Sequence, residues 1–143
     1  MTARRWLTGL FAVLLAATGG AALLAQDDAE RERPSLSLRA TPPVGFTPLD
    51  VRVVAELAGG AEDHPDYYCP DVEWEWGDGT RSESARDCEP YVSGESAITR
   101  RYTATHTYRA SGAFRLRFRL RQGDDIVENG ELRLQVRRGT GQF

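Results

Sequence analysis

The chain has 143 residues, which allows one domain and a short appendage. Its formal net charge is −3, and every cationic side chain is an arginine. A mildly acidic chain argues against nucleic acid as a partner, because nucleic-acid binding depends on clustered positive charge.

The first 25 residues have the pattern of an export signal. Two arginines precede an uncharged stretch, residues 6–25, and acidic residues follow it from Asp27 onward. This pattern predicts a signal-peptide helix over residues 1–25, cleaved after Ala25 or after Ala22. The alternative is an uncleaved membrane anchor, because about 20 apolar residues can cross a bilayer. We therefore expect a periplasmic or extracellular protein, or one anchored to the membrane by this segment.

The β pattern begins after a short polar segment. Residues 26–34 are polar and charged, which predicts a flexible tether. Apolar and polar residues then alternate over 35–39 and again over 49–57, and each run predicts a strand. Prolines interrupt the pattern within 41–45, because proline fixes φ and has no N–H group to donate.

The middle of the chain holds a strand between two polar loops. An acidic loop is predicted at 59–70, and a strand with two tryptophans on one face follows at 72–76. The Gly-Asp-Gly sequence at 77–79 predicts a tight turn, because these residues tolerate positive φ. Residues 81–95 are polar and predict a loop, whereas the Thr- and Tyr-rich stretch 98–108 predicts another strand.

The clearest strand of the chain is predicted at 113–121. There, four apolar side chains alternate with four arginines without exception. The last strand is predicted at 126–136, with a bulge or a second tight turn at Asn129-Gly130.

Six or seven short strands with turns between them predict an all-β, two-sheet sandwich. We expect this domain to cover residues 35–138 and a loose tail to occupy residues 139–143.

Two segments together resemble the PKD-domain family. The first is Trp-Glu-Trp-Gly-Asp-Gly-Thr at 74–80, and the second is His-Thr-Tyr at 106–108 followed by Gly-Ala-Phe at 112–114. Family members carry Trp-x-Phe-Gly-Asp-Gly-Thr and His-Thr-Tyr…Gly-x-Tyr, so Trp76 and Phe114 are departures. The resemblance implies an immunoglobulin-like β-sandwich outside the cytoplasm that serves as an interaction module and not as an enzyme.

The two cysteines, Cys69 and Cys88, predict one disulfide bond. In an exported chain, two cysteines most simply pair with each other. The bond would restrict the unfolded chain by about 3 kcal/mol in the loop-entropy model. A zinc site would need more closely spaced cysteines, and His64 is the only nearby histidine. The cysteines therefore predict no metal centre, and no cofactor is predicted.

Asp78 and His106 are the residues that could be read as catalytic. We expect Asp78 to accept hydrogen bonds from nearby backbone N–H groups and so to hold its turn. His106 has no evident partner at a telling spacing, and its counterpart in the PKD family belongs to a packed structural segment. Trp74 and Trp76 share one strand face and are expected in the core.

The arginine row has two interpretations. Glu73 and Glu75 are expected on the same outer face as the arginines, which would form a cross-strand lattice of ion pairs. The other interpretation is a patch that binds an anion or a partner, with Arg115, Arg117 and Arg119 as candidate contact residues. Arginines outnumber the glutamates, so some arginines are expected to be unpaired.

The segments around the cysteines hold the other candidates. The acidic residues of loop 62–71 either bind Ca²⁺ or are simply solvated. Tyr67, Tyr68 and Tyr91 flank the cysteines, and they either contact a sugar or a protein or cover the disulfide bond.

These features predict an exported, non-catalytic module that binds a protein or a polysaccharide. The alternative is a structural spacer or accessory subunit of a cell-envelope assembly, with no ligand of its own. No enzyme is predicted, because the sequence shows no nucleophile with a base, no paired acids and no phosphate-binding loop. The ligand and the oligomeric state stay open at this point, and membrane contact is expected only if the N-terminal segment remains uncleaved.

Overall fold

The computed structural model describes residues 33–139, which form eight strands and one short 3₁₀ turn. The predicted signal peptide or anchor, most of the predicted tether and the end of the predicted tail lie outside the described residues. The strands are β1 (Ser35–Thr41), β2 (Val44–Phe46), β3 (Leu49–Ala58), β4 (Asp71–Glu75), β5 (Arg81–Ser84), β6 (Arg101–Tyr108), β7 (Gly112–Gln122) and β8 (Asp125–Arg137), and the 3₁₀ turn is Pro65–Tyr67.

The strands form two sheets. One sheet has the order β1-β3-β6 and the other has the order β2-β8-β7-β4-β5. All neighbours are antiparallel except β2 and β8, which run parallel. This is the strand arrangement of an immunoglobulin-like sandwich, in which β1, β3 and β6 face β4, β7 and β8. The predicted all-β, two-sheet sandwich is confirmed.

The core lies between the sheets and follows the alternation of the sequence. Every second residue of β3 is buried from Leu49 to Leu57, and Leu116, Phe118 and Leu120 of β7 are fully buried. Trp74 and Trp76 are buried as expected, with their rings stacked 5.9 Å apart.

Within residues 33–139, no helix is long and apolar enough to cross a membrane.

Two strands were missed by the sequence analysis. Residues 44–46 form β2, in which only Gly45 turns inward. A strand of three residues is too short to show a period-2 pattern in the sequence. Residues 81–84 form β5 instead of a loop, and all four are exposed. This edge strand is held by backbone pairing with β4, and backbone pairing leaves no apolar pattern in the sequence.

The predicted irregularity in the last strand lies at a different residue. Leu120 pairs with Glu128 and Arg121 pairs with Ile126, so Val127 is the extra residue of a bulge. Gly130 pairs regularly with Phe118. A Cβ atom at this glycine would lie 2.9 Å from a side-chain carbon of the leucines of β1. This glycine therefore serves close packing between the sheets and makes no turn.

Candidate functional site

The turn after β4 is organised by Asp78. Its Oδ1 accepts hydrogen bonds from the backbone N–H of Thr80 at 3.0 Å and from the Thr80 hydroxyl at 2.6 Å. The backbone N–H of Trp76 closes the turn by donating to the Thr80 carbonyl at 3.0 Å. Asp78 thus acts as a turn-holding residue, as the sequence predicted.

His106 has a partner that the sequence analysis did not find. Its Nε2 lies 2.7 Å from Oδ2 of Asp78. The imidazole ring also stacks on Trp76 at 4.6 Å and meets the edge of Tyr108 at 4.7 Å. The two partners are 28 residues apart in the chain and come together because β6 packs across the sandwich from the turn after β4. The signal that could have paired them is that both residues lie in the two segments that resemble the PKD family.

The surroundings of this pair keep Asp78 ionised and Tyr108 neutral. Burial alone would raise the pKa of the Asp78 carboxyl, but hydrogen bonds from Thr80 and His106 outweigh it, and the pKa is lowered. Burial raises the pKa of Tyr108, and the charge of Asp78 adds to this. The neutral Tyr108 hydroxyl donates to the carbonyl of Trp76 at 2.8 Å.

The same turn packs directly on β7 through Gly77. This residue has φ +82°, and a Cβ atom there would lie 2.5 Å from the carbonyl oxygen of Arg115. Within residues 33–139, His106 has no hydrogen bond to a hydroxyl or a thiol. The contacts of the His106–Asp78 pair therefore join the two sheets and do not form a Ser-His-Asp arrangement.

Cys69 and Cys88 form the predicted disulfide bond, with Cα atoms 6.3 Å apart. The bond joins the segment before β4 to the segment after β5. We call residues 62–69 and 88–95 the stapled segments.

Tyr67, one of the three tyrosines predicted as contact residues, is buried in the structure. Tyr67 is only 1% exposed and lies in the core, where its hydroxyl donates to Glu128 at 3.1 Å. Burial, with the neighbouring charge of Glu128, raises the pKa of Tyr67 to about 12. The 3₁₀ turn carries this ring inward, so Tyr67 belongs to the core and not to a binding surface.

Tyr68 and Tyr91 link the stapled segments to each other. Their rings meet at 5.7 Å, and the Tyr68 hydroxyl donates to the carbonyl of Glu89 at 3.0 Å. The Tyr91 hydroxyl donates to the carbonyl of Asp63 at 2.6 Å. Tyr91 and its neighbour Val92 nevertheless remain 36% and 48% exposed, so the stapled segments present apolar surface on an ordered frame.

The carboxylates of the acidic loop turn to separate partners. Glu62 pairs with Arg100 at 2.9 Å, and Asp66 pairs with Arg33 at 3.3 Å. Asp63 accepts the backbone N–H of Gly94 at 2.7 Å. In the part of the chain that the structure describes, no three His, Cys, Asp or Glu side chains group as a metal site would require.

The arginines of β7 form a ladder of ion pairs across the outer face of the five-stranded sheet. Arg119 contacts Glu73 at 2.6 Å and Glu75 at 3.1 Å. Arg117 contacts Glu75 at 3.3 Å and Glu131 at 3.5 Å. Glu131 of β8 is a partner that the sequence did not predict. Arg117 and Arg119 are therefore engaged within the molecule.

The ladder is weakest at its Arg115 end. Among the carboxylates of the described residues, Arg115 contacts only Glu131, at 3.5 Å, and its side chain is half exposed. It lies directly opposite Arg133 of β8, for which the described residues supply no carboxylate within 4.0 Å. Of the three arginines proposed as contacts, Arg115 is thus the most accessible.

No family model matches the chain, and no curated protein matches it. Among solved structures, the chain is similar to the CARDB domain of the PF1109 protein from Pyrococcus furiosus, determined in complex with di-metal ions. The identity is 13%, the TM-score is 0.43, and the match covers 73% of this chain and 94% of that chain. A likeness at this level carries no argument, so the fold assignment rests on the strand order described above.

Proposed function

We propose that this protein is an exported, non-catalytic module of PKD type that binds a protein or a polysaccharide through its stapled segments. The observation that carries the proposal is the exposed pair Tyr91 and Val92. An aromatic side chain held in place loses little entropy on binding, and loops on a rigid sandwich are common recognition sites.

Two features support the exported part of the proposal. A disulfide bond persists in an oxidising compartment, so the Cys69–Cys88 bond is compatible with a location outside the cytoplasm. The apolar stretch at residues 6–25 supplies the matching signal pattern.

The test is a binding screen followed by a comparison of variants. The full-length protein, purified with its disulfide intact, is applied to a glycan array and to a panel of purified envelope proteins. For any partner found, Tyr91→Ala should weaken binding by about tenfold, which corresponds to the loss of an aromatic contact. Ser111→Ala, in the exposed connection between β6 and β7, is the control and should leave the affinity unchanged. Equal affinities for wild type and Tyr91→Ala would contradict the proposal.

A second candidate is favoured by a different observation. A spacer without a ligand needs a surface whose charged groups are already paired within the molecule. Arg117 and Arg119 are both engaged in such ion pairs. Burial of Tyr67 points the same way. The spacer function predicts no saturable binding to any member of either panel.

A further inference from the structure

The three-stranded sheet ends in an open edge at β6. Within residues 33–139, β6 ends the strand order β1-β3-β6 and has a neighbour on one side only. It is eight residues long, the longest of the four edge strands in the described part of the chain. A free edge exposes unpaired N–H and C=O groups, which are a template for another strand.

The hydrogen-bond pattern identifies which residues face outward. The backbone N–H of Leu57 donates to the carbonyl of Arg100 at 2.8 Å, so the even-numbered residues of β6 bond to β3. Because antiparallel pairing alternates, the odd-numbered residues turn their backbone groups away from β3. We call these residues the β6 edge: Arg101, Thr103, Thr105 and Thr107.

Within the described residues, the β6 edge carries one of the usual protections of an edge strand, the charged Arg101 at its start. Natural edges are blunted by charged residues, above all lysine, and by proline, bulges or covering loops. β6 contains no lysine and no proline, and its register with β3 is continuous over all eight pairs. The four edge residues are exposed, and no backbone hydrogen bond from elsewhere in residues 33–139 reaches them.

We propose that the β6 edge binds an extended polypeptide strand of a partner protein, which adds to the three-stranded sheet. Only a polypeptide repeats paired N–H and C=O groups every two residues, at about 6.8 Å. A polysaccharide has no such repeat. This surface is separate from the stapled segments, so the inference does not depend on the function proposed above.

The charges beside the edge indicate one feature of the partner strand. Arg52 of β3 lies opposite Thr105, and no carboxylate in the described residues lies within 4.0 Å of its guanidinium. Of the other charges that β3 and β6 place on this face, Glu56 pairs with Arg101 at 3.1 Å and Asp50 accepts from Thr107. A strand added beside β6 would lie about 10 Å from β3, within reach of an arginine that extends over a short threonine. The residue of the partner beside Thr105 should therefore be aspartate or glutamate.

A second copy of this chain would fit the edge less well. It would offer its own odd-numbered residues, which are one arginine and three threonines, and so no carboxylate for Arg52. A foreign strand with an acidic residue satisfies both the backbone groups and the charge.

The test uses a phage-displayed library of linear peptides of about 12 residues, selected on the full-length protein. Selected peptides should share an acidic position and bind with one-to-one stoichiometry. Amide hydrogen exchange should then slow at Thr103, Thr105 and Thr107, which exchange rapidly in the free protein. Selected peptides that protect amides elsewhere, or the absence of any saturable binder, would overturn the proposal.

A matched pair of variants separates backbone pairing from side-chain contact. Thr105→Pro removes an outward N–H group at a position where an edge strand tolerates proline, and it should weaken peptide binding by about tenfold. Thr105→Val keeps that N–H group and should bind like the wild type. If Thr105→Pro fails to fold, methylation of alternate backbone nitrogens of the peptide makes the same comparison, and equal binding of all methylated peptides would refute strand addition. A concentration-dependent dimer protecting these amides would identify a second copy as the occupant and also overturn the proposal.

Discussion

Asp78 makes contacts that hold a turn and join two sheets at once. One carboxylate oxygen bonds Thr80 within the turn, and the other bonds His106 from the opposite sheet. The first contact is local and could be predicted, because an aspartate between two glycines commonly holds a turn. The second could not, because it depends on how the sheets pack, and no local pattern encodes that.

Asp78→Asn should lower the free energy of unfolding by about 1–3 kcal/mol at neutral pH, since hydrogen bonds to a charged acceptor are lost. The lowered pKa of Asp78 gives this loss a pH dependence. A depressed folded-state pKa stabilises the protein above the unfolded value of about 3.9, and the stabilisation disappears as pH falls through the folded value. Wild type and variant should therefore converge in acid, as measured by urea unfolding.

The control is Asp124→Asn, in the exposed turn between β7 and β8. It should follow the wild-type curve at every pH. A difference in unfolding free energy between wild type and Asp78→Asn that stays constant down to about pH 2 would show that the carboxylate charge contributes nothing. That result would contradict the role assigned to the contacts of Asp78.

At the scale of strands, alternation identified the elements that bury a face and missed those that do not. β3 and β7 were predicted within one or two residues, because every second side chain enters the core. β2 and β5 are edge strands of three and four residues that are mostly exposed, so they leave no period-2 signal.

The register of β4 gives a direct prediction. Trp74 packs on Phe118 at 4.5 Å in the core, so Trp74→Ala should cost about 3–5 kcal/mol of unfolding free energy. Glu75 faces outward in the ladder of ion pairs, so Glu75→Ala should cost about 0–1 kcal/mol. Thermal melts of both variants compare them, and a greater loss in Glu75→Ala would reverse the inward and outward faces of the strand.

The disulfide bond is predicted to stabilise the fold by restricting the unfolded chain. Replacing both Cys69 and Cys88 by alanine should lower the unfolding free energy by about 3 kcal/mol, as measured by urea titration. Mass spectrometry of the protein isolated without reductant should find no free thiol. Two free thiols in that sample would remove the bond from the account and weaken the case for export.

For the whole molecule, the fold followed from the sequence, but the exposure of the candidate contact residues did not. Six or seven amphipathic strands leave few ways to bury their apolar faces, and a two-sheet sandwich is the simplest. Surface residues carry no such constraint. Tyr67 and Tyr68 are adjacent in the chain, yet one is buried in the core and the other bridges the stapled segments. The 3₁₀ turn that separates their directions has no signature strong enough to predict.

Photocrosslinking at position 91 tests the central claim, that the exposed stapled segments bind a partner, most directly. Tyr91 is replaced by benzoylphenylalanine, which keeps an aromatic side chain there, and Arg117 of the ladder is replaced in a control protein. Irradiation of each protein in its producing cells should give one discrete adduct from position 91 and none from position 117. An adduct only from position 117 would move the contact surface to the sheet face, and no adduct from either position would contradict the binding function and favour the spacer.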